Sequence, residues 1–220
     1  MLTDLLPSPA GLAVFAAAVF VLNATPGVDF LLTVSRTLQG GPRAGVAAVL
    51  GINAGCVVHA LAAAFGLAAL LALHAQAFRV IQWAGAAYLA WLGVHMLRQA
   101  WRSSTPQAAG SIARELRPWW ADFRVGLFTN VLNPKVALFF LAFLPQFVPA
   151  SSPSATASFL LLGAWFVAQG LLFSLALVAL AARLGRLRAS PRLQRALSGV
   201  GGLLFMGLAL RLLRERPVAA

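Results

Sequence analysis

Two stretches of this chain put charge, amide side chains and proline together inside apolar runs. One is Leu22-Asn23-Ala24-Thr25-Pro26-Gly27-Val28-Asp29; the other is Thr129-Asn130-Val131-Leu132-Asn133-Pro134-Lys135. Proline lacks a backbone N–H and clashes with the preceding turn, so each stretch predicts a broken helix. A break frees N–H groups at one helix end and carbonyls at the other. The first suit a carboxylate, the second an ammonium or a cation. Asn23, Thr25, Asn130 and Asn133 can satisfy the freed backbone or contact a polar solute. Asp29 and Lys135 can face the two charges of a zwitterion, or pair with each other when no solute is bound. Asp29 can alternatively relay protons or cap a half-helix. A charge at the centre of a bilayer costs about 2.5–3.5 kcal/mol even on an insertion scale, so retaining one beside each break points to use.

Other polar residues carry weaker signals. Cys56 and His59, three apart, share a helical face and make half of a soft-metal site at most, since two further ligands are needed. His59 is more readily a polar contact between helices, and a second candidate for proton coupling. Asn53 and Gln169 read as interhelical contacts or cavity lining. No nucleophile motif, His-Glu-x-x-His pair or phosphate-binding glycine loop occurs, and the single cysteine excludes a Cys-x-x-Cys redox centre.

Composition says what must position these residues. Hydrophobic residues make up 60% of the 220 and charged residues 10%, with a mean hydropathy of +0.84. Soluble domains average about 25% charged. The expected fold is therefore all-α, a multi-pass membrane protein in a single transmembrane domain. The net charge of +12 comes from arginines flanking apolar runs, as the positive-inside rule demands, and not from a nucleic-acid surface. The N-terminus has no basic region ahead of its apolar run and reads as a first span.

Six spans are expected, at roughly 10–34, 44–73, 78–100, 122–146, 159–182 and 196–213. Asp29 and Lys135 are read as the only acid and the only lysine within the spans, with Asp122 at the first position of the fourth. Gln39-Gly40-Gly41-Pro42-Arg43 is a turn, and Gly51-x-x-x-Gly55 permits close approach of another helix. The halves, about 1–101 and 119–216, are joined by a polar loop at 102–118. Aligning Pro26 with Pro134 also pairs Phe15 with Phe123 and Phe20 with Phe128; Gly85 and Gly93 echo Gly199 and Gly207. Three spans per half would invert the second half in the membrane. Inverted repeats with matching broken spans point to a secondary transporter with its substrate at the breaks.

The residues also resemble a known family, the LysE/RhtB-type bacterial amino-acid exporters, over nearly the whole chain. The matching elements are Thr25-Pro26-Gly27-x-Asp29, Ser35-Arg36, Gly41-x-Arg43-Ala44-Gly45, Gly85-Ala86-Ala87-Tyr88-Leu89-x-x-Leu92-Gly93, Asn133-Pro134-Lys135-x-Ala137-Leu138-Phe139-Phe140 and Leu144-Pro145-Gln146-Phe147. Where that family often has a second proline after the glycine, this chain has Val28. The resemblance implies a six-span protein of the bacterial inner membrane that exports amino acids or close derivatives, driven by proton influx. The substrate-binding candidates are Asn23, Thr25, Pro26, Gly27, Asp29, Asn130, Asn133, Pro134 and Lys135, and the proton-coupling candidates are Asp29 and His59. Neither cofactor nor resident metal is expected. The implied partners are the amino acid, a proton or other coupling ion, membrane lipid and, left open, further copies in a homo-oligomer. The rival readings are a metal-cation exporter of related build and a membrane enzyme or redox carrier.

Arginine placement predicts the orientation. Twelve arginines lie at the loops after spans one, three and five, against four on the other side, which puts 102–118 and 183–195 in the cytoplasm and both termini outside. With Cys56→Ala as background, cysteines at Ser104 and Ser190 should resist an impermeant thiol reagent added to intact cells. Ready labelling of either would reverse the orientation.

Overall fold

The computed structural model describes residues 4–67, 118–149 and 152–184, with isolated helical positions between 83 and 101 and between 203 and 210. Every element in the described residues is helical. They hold the first, fourth and fifth expected spans and the second as far as residue 67. The third and sixth spans, the loop at 102–118, most of the arginine cluster and the Gly85, Gly93 and Gly199 positions lie outside the described residues.

Helix α1 (Pro9–Ala24) starts where Ser8 accepts a hydrogen bond from Gly11 N and Pro9 occupies the first turn, as an N-terminal cap requires. It stops at Thr25-Pro26-Gly27. Helix α2 (Val28–Ala62) follows and runs on into a wider π turn at Ala63–Leu67. The apolar helix Val28–Gly66 has 39 residues. Straight, it would be about 58 Å long, nearly twice the hydrocarbon core. It is not straight. Gly41 takes φ +80 ahead of Pro42, a left-handed backbone that glycine adopts without a Cβ penalty. The Thr37 side chain then lies against Gly45, a contact between residues that a straight helix holds about 12 Å apart. The chain thus reverses at the expected turn, and the two arms of α2 fold against each other.

The first arm extends the opening span beyond its expected end. The span expected as 10–34 is broken at 25–27 and continues to the Gly41 turn. Arg36, counted above with a cytoplasmic loop, is a buried helix residue and drops out of that count.

Helix α3 (Trp119–Val131) and the short helix α4 (Pro134–Leu138) make the second broken pair, bent by 47°. A π turn at Phe139–Phe143 and a tighter turn at Leu144–Phe147 complete it. Helix α5 (Ala155–Leu184) spans without a break and exposes Leu160, Leu172 and Leu180 on its outer face, as a lipid-facing surface would.

Close packing of α3 against α2 follows from glycine. A Cβ on Gly51 would collide with the Phe123 carbonyl, one on Gly126 with the Ala48 carbonyl, and one on Gly55 with the Asn130 side chain. The Gly51-x-x-x-Gly55 spacing is used as expected. Lipid is as apolar as leucine, so contact distance and packing, more than hydrophobic burial, hold such helices together. Elsewhere aromatic rings fill the interface. Phe139 and Phe143 lie with ring centroids 4.5 Å apart, and Phe140 meets Phe166 of α5 edge-on at 4.8 Å. Phe15 of α1 stacks on Phe143.

One buried ion pair corrects the sequence reading. Arg36 on the first arm of α2 meets Asp122 on α3 at 2.5 Å, with side chains 6% and 1% exposed. Asp29 is therefore not the only acid inside the helices. Removing one member of a buried pair strands the other charge, at a cost of about 3–5 kcal/mol, whereas replacing both by apolar groups is often neutral. Asp122→Ala should lower unfolding stability in detergent by about that amount, and Arg36→Met with Asp122→Leu should recover most of it. A double variant no more stable than Asp122→Ala would show that the pair does not act as a unit.

Candidate functional site

The two breaks lie against each other, and proline chemistry explains how. In a continuous helix the residue-26 N–H would bond the Leu22 carbonyl. Pro26 has no N–H, so that carbonyl is left open. Lys135 fills it: its ammonium donates to Leu22 O at 2.7 Å and to Thr25 O at 3.1 Å. Thr25 itself turns inward, its N–H and hydroxyl both donating to Val21 O. At the second break Pro134 deletes the usual donor for Asn130 O; the Asn133 N–H bonds that carbonyl at 2.9 Å instead, and the His59 ring lies 3.1 Å from it through Nε2. A carbonyl only accepts, so this contact calls for a proton on Nε2. His59 also stacks on Phe140.

Asp29, in the first turn of α2, is held from the other side. Its Oδ2 accepts from Asn130 Nδ2 and from Asn133 Nδ2, both at 2.9 Å. Asn133 does two jobs, because its Oδ1 also accepts from Lys135 N at 3.0 Å and caps α4. Asp29 and Lys135 do not form the ion pair considered above. Each has separate partners, and each keeps one capacity open: Asp29 Oδ1 has no hydrogen-bond partner, and the ammonium has a third N–H.

Both charges line one cavity of about 40 Å³ together with Asn23, Thr25, Gly27, Asn53, Cys56 and Asn133. A water needs roughly 10–15 Å³ on this measure, so the cavity holds a few waters. Its opposite wall is α5, which contributes Phe166, Gly170, Phe173, Ser174 and Leu177. Of the expected site residues, Asn23, Thr25, Gly27, Asp29, Asn133 and Lys135 line this space. Asn130 supports Asp29 from behind, while Pro26 and Pro134 shape the breaks without lining the cavity. Gln169 does not line it either; it bonds Ala16 O and Trp165. Cys56 is buried and lines the cavity, but His59 is committed to Asn130 O and Phe140. Among the described residues no three metal-ligating side chains cluster.

The α5 wall was missed. Its only sequence signal is a face of Phe166, Gly170, Phe173, Ser174 and Leu177 at helical spacing, which composition alone does not separate from a packing face.

A family model described as LysE type translocator matches residues 20–216. The chain belongs to the LysE-type translocator family. Among its relatives, a homoserine/homoserine lactone efflux protein of Salmonella typhimurium is 30% identical, covering 84% of this chain and 87% of the relative. A threonine efflux protein of Salmonella typhi is 30% identical, over 87% and 92%. A leucine efflux protein of an Enterobacter species is 28% identical, over 90% and 92%. No solved structure matches the chain. This LysE-type protein is a transporter of the bacterial inner membrane and not an enzyme.

The double use of Asn133 can be taken apart. Asn133→Ser keeps an N-cap oxygen but loses the reach to Asp29, whereas Asn133→Ala loses both. The serine variant should unfold between wild type and the alanine variant, about 1 kcal/mol above alanine. Equal midpoints for serine and alanine in detergent would mean that the cap contributes nothing.

Proposed function

We propose that this LysE-type translocator exports amino acids with uncharged side chains, bound as zwitterions between the two helix breaks. The observation that carries the proposal is the pair of opposite charges lining one cavity, each with one hydrogen-bonding capacity open. The substrate ammonium would meet Asp29 Oδ1. The substrate carboxylate would take the third N–H of Lys135. The family relatives named for homoserine, threonine and leucine efflux support amino acids as the substrate class.

Export against a gradient needs an energy source, and we assign proton influx. Ionised Asp29 holds the ammonium; a proton taken up from outside neutralises the carboxylate and releases the substrate. The proton then leaves to the cytoplasm when the next substrate binds. Asp29 thus alternates between ammonium and proton, which makes the exchange obligatory. His59 is a second proton-holding candidate, because its carbonyl contact lies on the residue that holds Asp29. A cavity of about 40 Å³ holds only a few waters, so loading a substrate as large as leucine requires the helices around it to separate. The two halves are proposed as inverted copies, with the touching breaks as their shared site.

Lys135→Met keeps the apolar stem and removes the charge but strands the Leu22 and Thr25 carbonyls, so flux is read per molecule of membrane protein. The variant's export of a labelled amino acid from loaded proteoliposomes should fall at least about tenfold, the effect of one lost charge-assisted hydrogen bond. Lys135→Arg should rescue in part at best, because a planar head does not replace an ammonium bound to two carbonyls. Asp29→Asn should give an overlapping defect, less than additive with Lys135→Met. Collapsing the pH gradient with an ionophore should abolish uphill export. Wild-type flux per molecule from Lys135→Met would overturn the zwitterion site, and uphill export without a pH gradient would overturn the coupling.

A further inference from the structure

Two amide side chains at the α5 end of the cavity are not used by the charges. Asn23 of α1 donates through Nδ2 to Val19 O at 2.8 Å, and Asn53 of α2 donates through Nδ2 to Val49 O at 2.9 Å. A backbone carbonyl can only accept, which fixes the orientation of both amides. Each Oδ1 therefore faces away from its own helix. Among the described residues neither oxygen accepts a hydrogen bond, although Asn53 is only 7% exposed.

Both amides converge on Gly170. A Cβ at that position would stand 3.7 Å from Asn23 Oδ1, 3.8 Å from Asn23 Nδ2 and 3.8 Å from Asn53 Oδ1. These are ordinary contact distances, so a methyl would fit the fold without collision. The glycine is not required by its backbone, and its effect is to leave space where two acceptors point. Phe166 and Phe173 flank it on the same wall. Open acceptors in an apolar surround favour a ligand that brings a donor, and penalise one that leaves them unpaired.

We propose that Asn23, Asn53 and Gly170 form the side-chain subsite of this transporter. The two amide oxygens read a donor, so the subsite selects a short side chain carrying a hydroxyl over an apolar side chain of equal size. The assignment rests on the amino-acid export proposed above and adds which residues set the choice. Asp29 and Lys135 serve groups that all amino acids share and cannot discriminate among them. Side-chain discrimination must come from elsewhere in the cavity, where these amides and the Ser174 hydroxyl are side-chain groups with acceptor capacity open.

Threonine and valine are close in shape and differ by hydroxyl against methyl, as homoserine and norvaline do. Initial export rates of each pair from loaded proteoliposomes give a hydroxyl-to-methyl preference. Wild type should prefer the hydroxyl member by at least about tenfold. Asn53→Leu and Asn23→Leu, which keep volume and delete the acceptors, should each bring that ratio down several-fold. Gly170→Ala should reduce export of threonine and homoserine while leaving the melting temperature in detergent close to wild type. Membrane abundance and melting temperature of the leucine variants separate lost selectivity from lost protein, and the ratio itself does not depend on abundance. A wild-type ratio near one, or an unchanged ratio in both leucine variants while flux persists, would overturn the subsite and leave the export function standing. Absence of flux for every amino acid tried in wild type would overturn both.

Discussion

A missing N–H organises this molecule. Each of two prolines deletes the usual donor for the carbonyl four residues before it, inside an apolar helix. A buried carbonyl without a partner is costly in lipid; at the first break Lys135 supplies the donor to Leu22 O, and at the second Asn130 O takes the Asn133 N–H and a further contact from His59. The repair is long-range in sequence, so it ties helices together at the same point where it satisfies backbone. The first break cannot be relieved without the second, because the lysine that completes α1 is the second residue of α4.

The surrounding contacts hold this junction in register. Glycines at 51, 55 and 126 bring the second arm of α2 into backbone contact with α3, which sets His59 beside the Asn130 carbonyl. The Arg36–Asp122 pair fixes the first arm of α2 against α3 about two turns from Asp29. Asn130 and Asn133 then reach Asp29 from one side only. The order matters physically: the backbone packing is independent of charge, and the polar contacts are built on positions that packing has already determined.

Much of this was legible in the chain, for reasons that can be named. Proline beside asparagine and a charge inside an apolar run is costly wherever it occurs, so the breaks and Asn23, Thr25, Asp29, Asn133 and Lys135 stood out. Gly41-Pro42 marked a reversal, and Gly51 with Gly55 marked a close helix contact. What did not show is equally instructive. Arg36 resembled a loop arginine because an apolar pattern cannot tell a buried pair from a flank until the partner, Asp122, is brought across from 86 positions away. The α5 wall carries no charge and no proline, so only its distance from Asn23 and Asn53 distinguishes it. The family resemblance supplied the direction of transport, which no distance in the fold encodes.

The separation of Asp29 from Lys135 has a consequence for how a zwitterion could be handled. Had they paired directly, a substrate would have to break a buried ion pair before making its own contacts, and the gain from binding would offset that loss. Here the carboxylate is held by two amides and the ammonium by two carbonyls, all neutral groups. Neutral partners keep each ion solvated in the empty site without neutralising it. The two ions also stabilise each other across the cavity at a distance, which limits the cost of leaving either unpaired. A zwitterion inserted between them adds one charge-assisted contact at each end and displaces a few waters at most. On the proposed function, binding would exchange water contacts for charge-assisted ones without first breaking an ion pair within the protein.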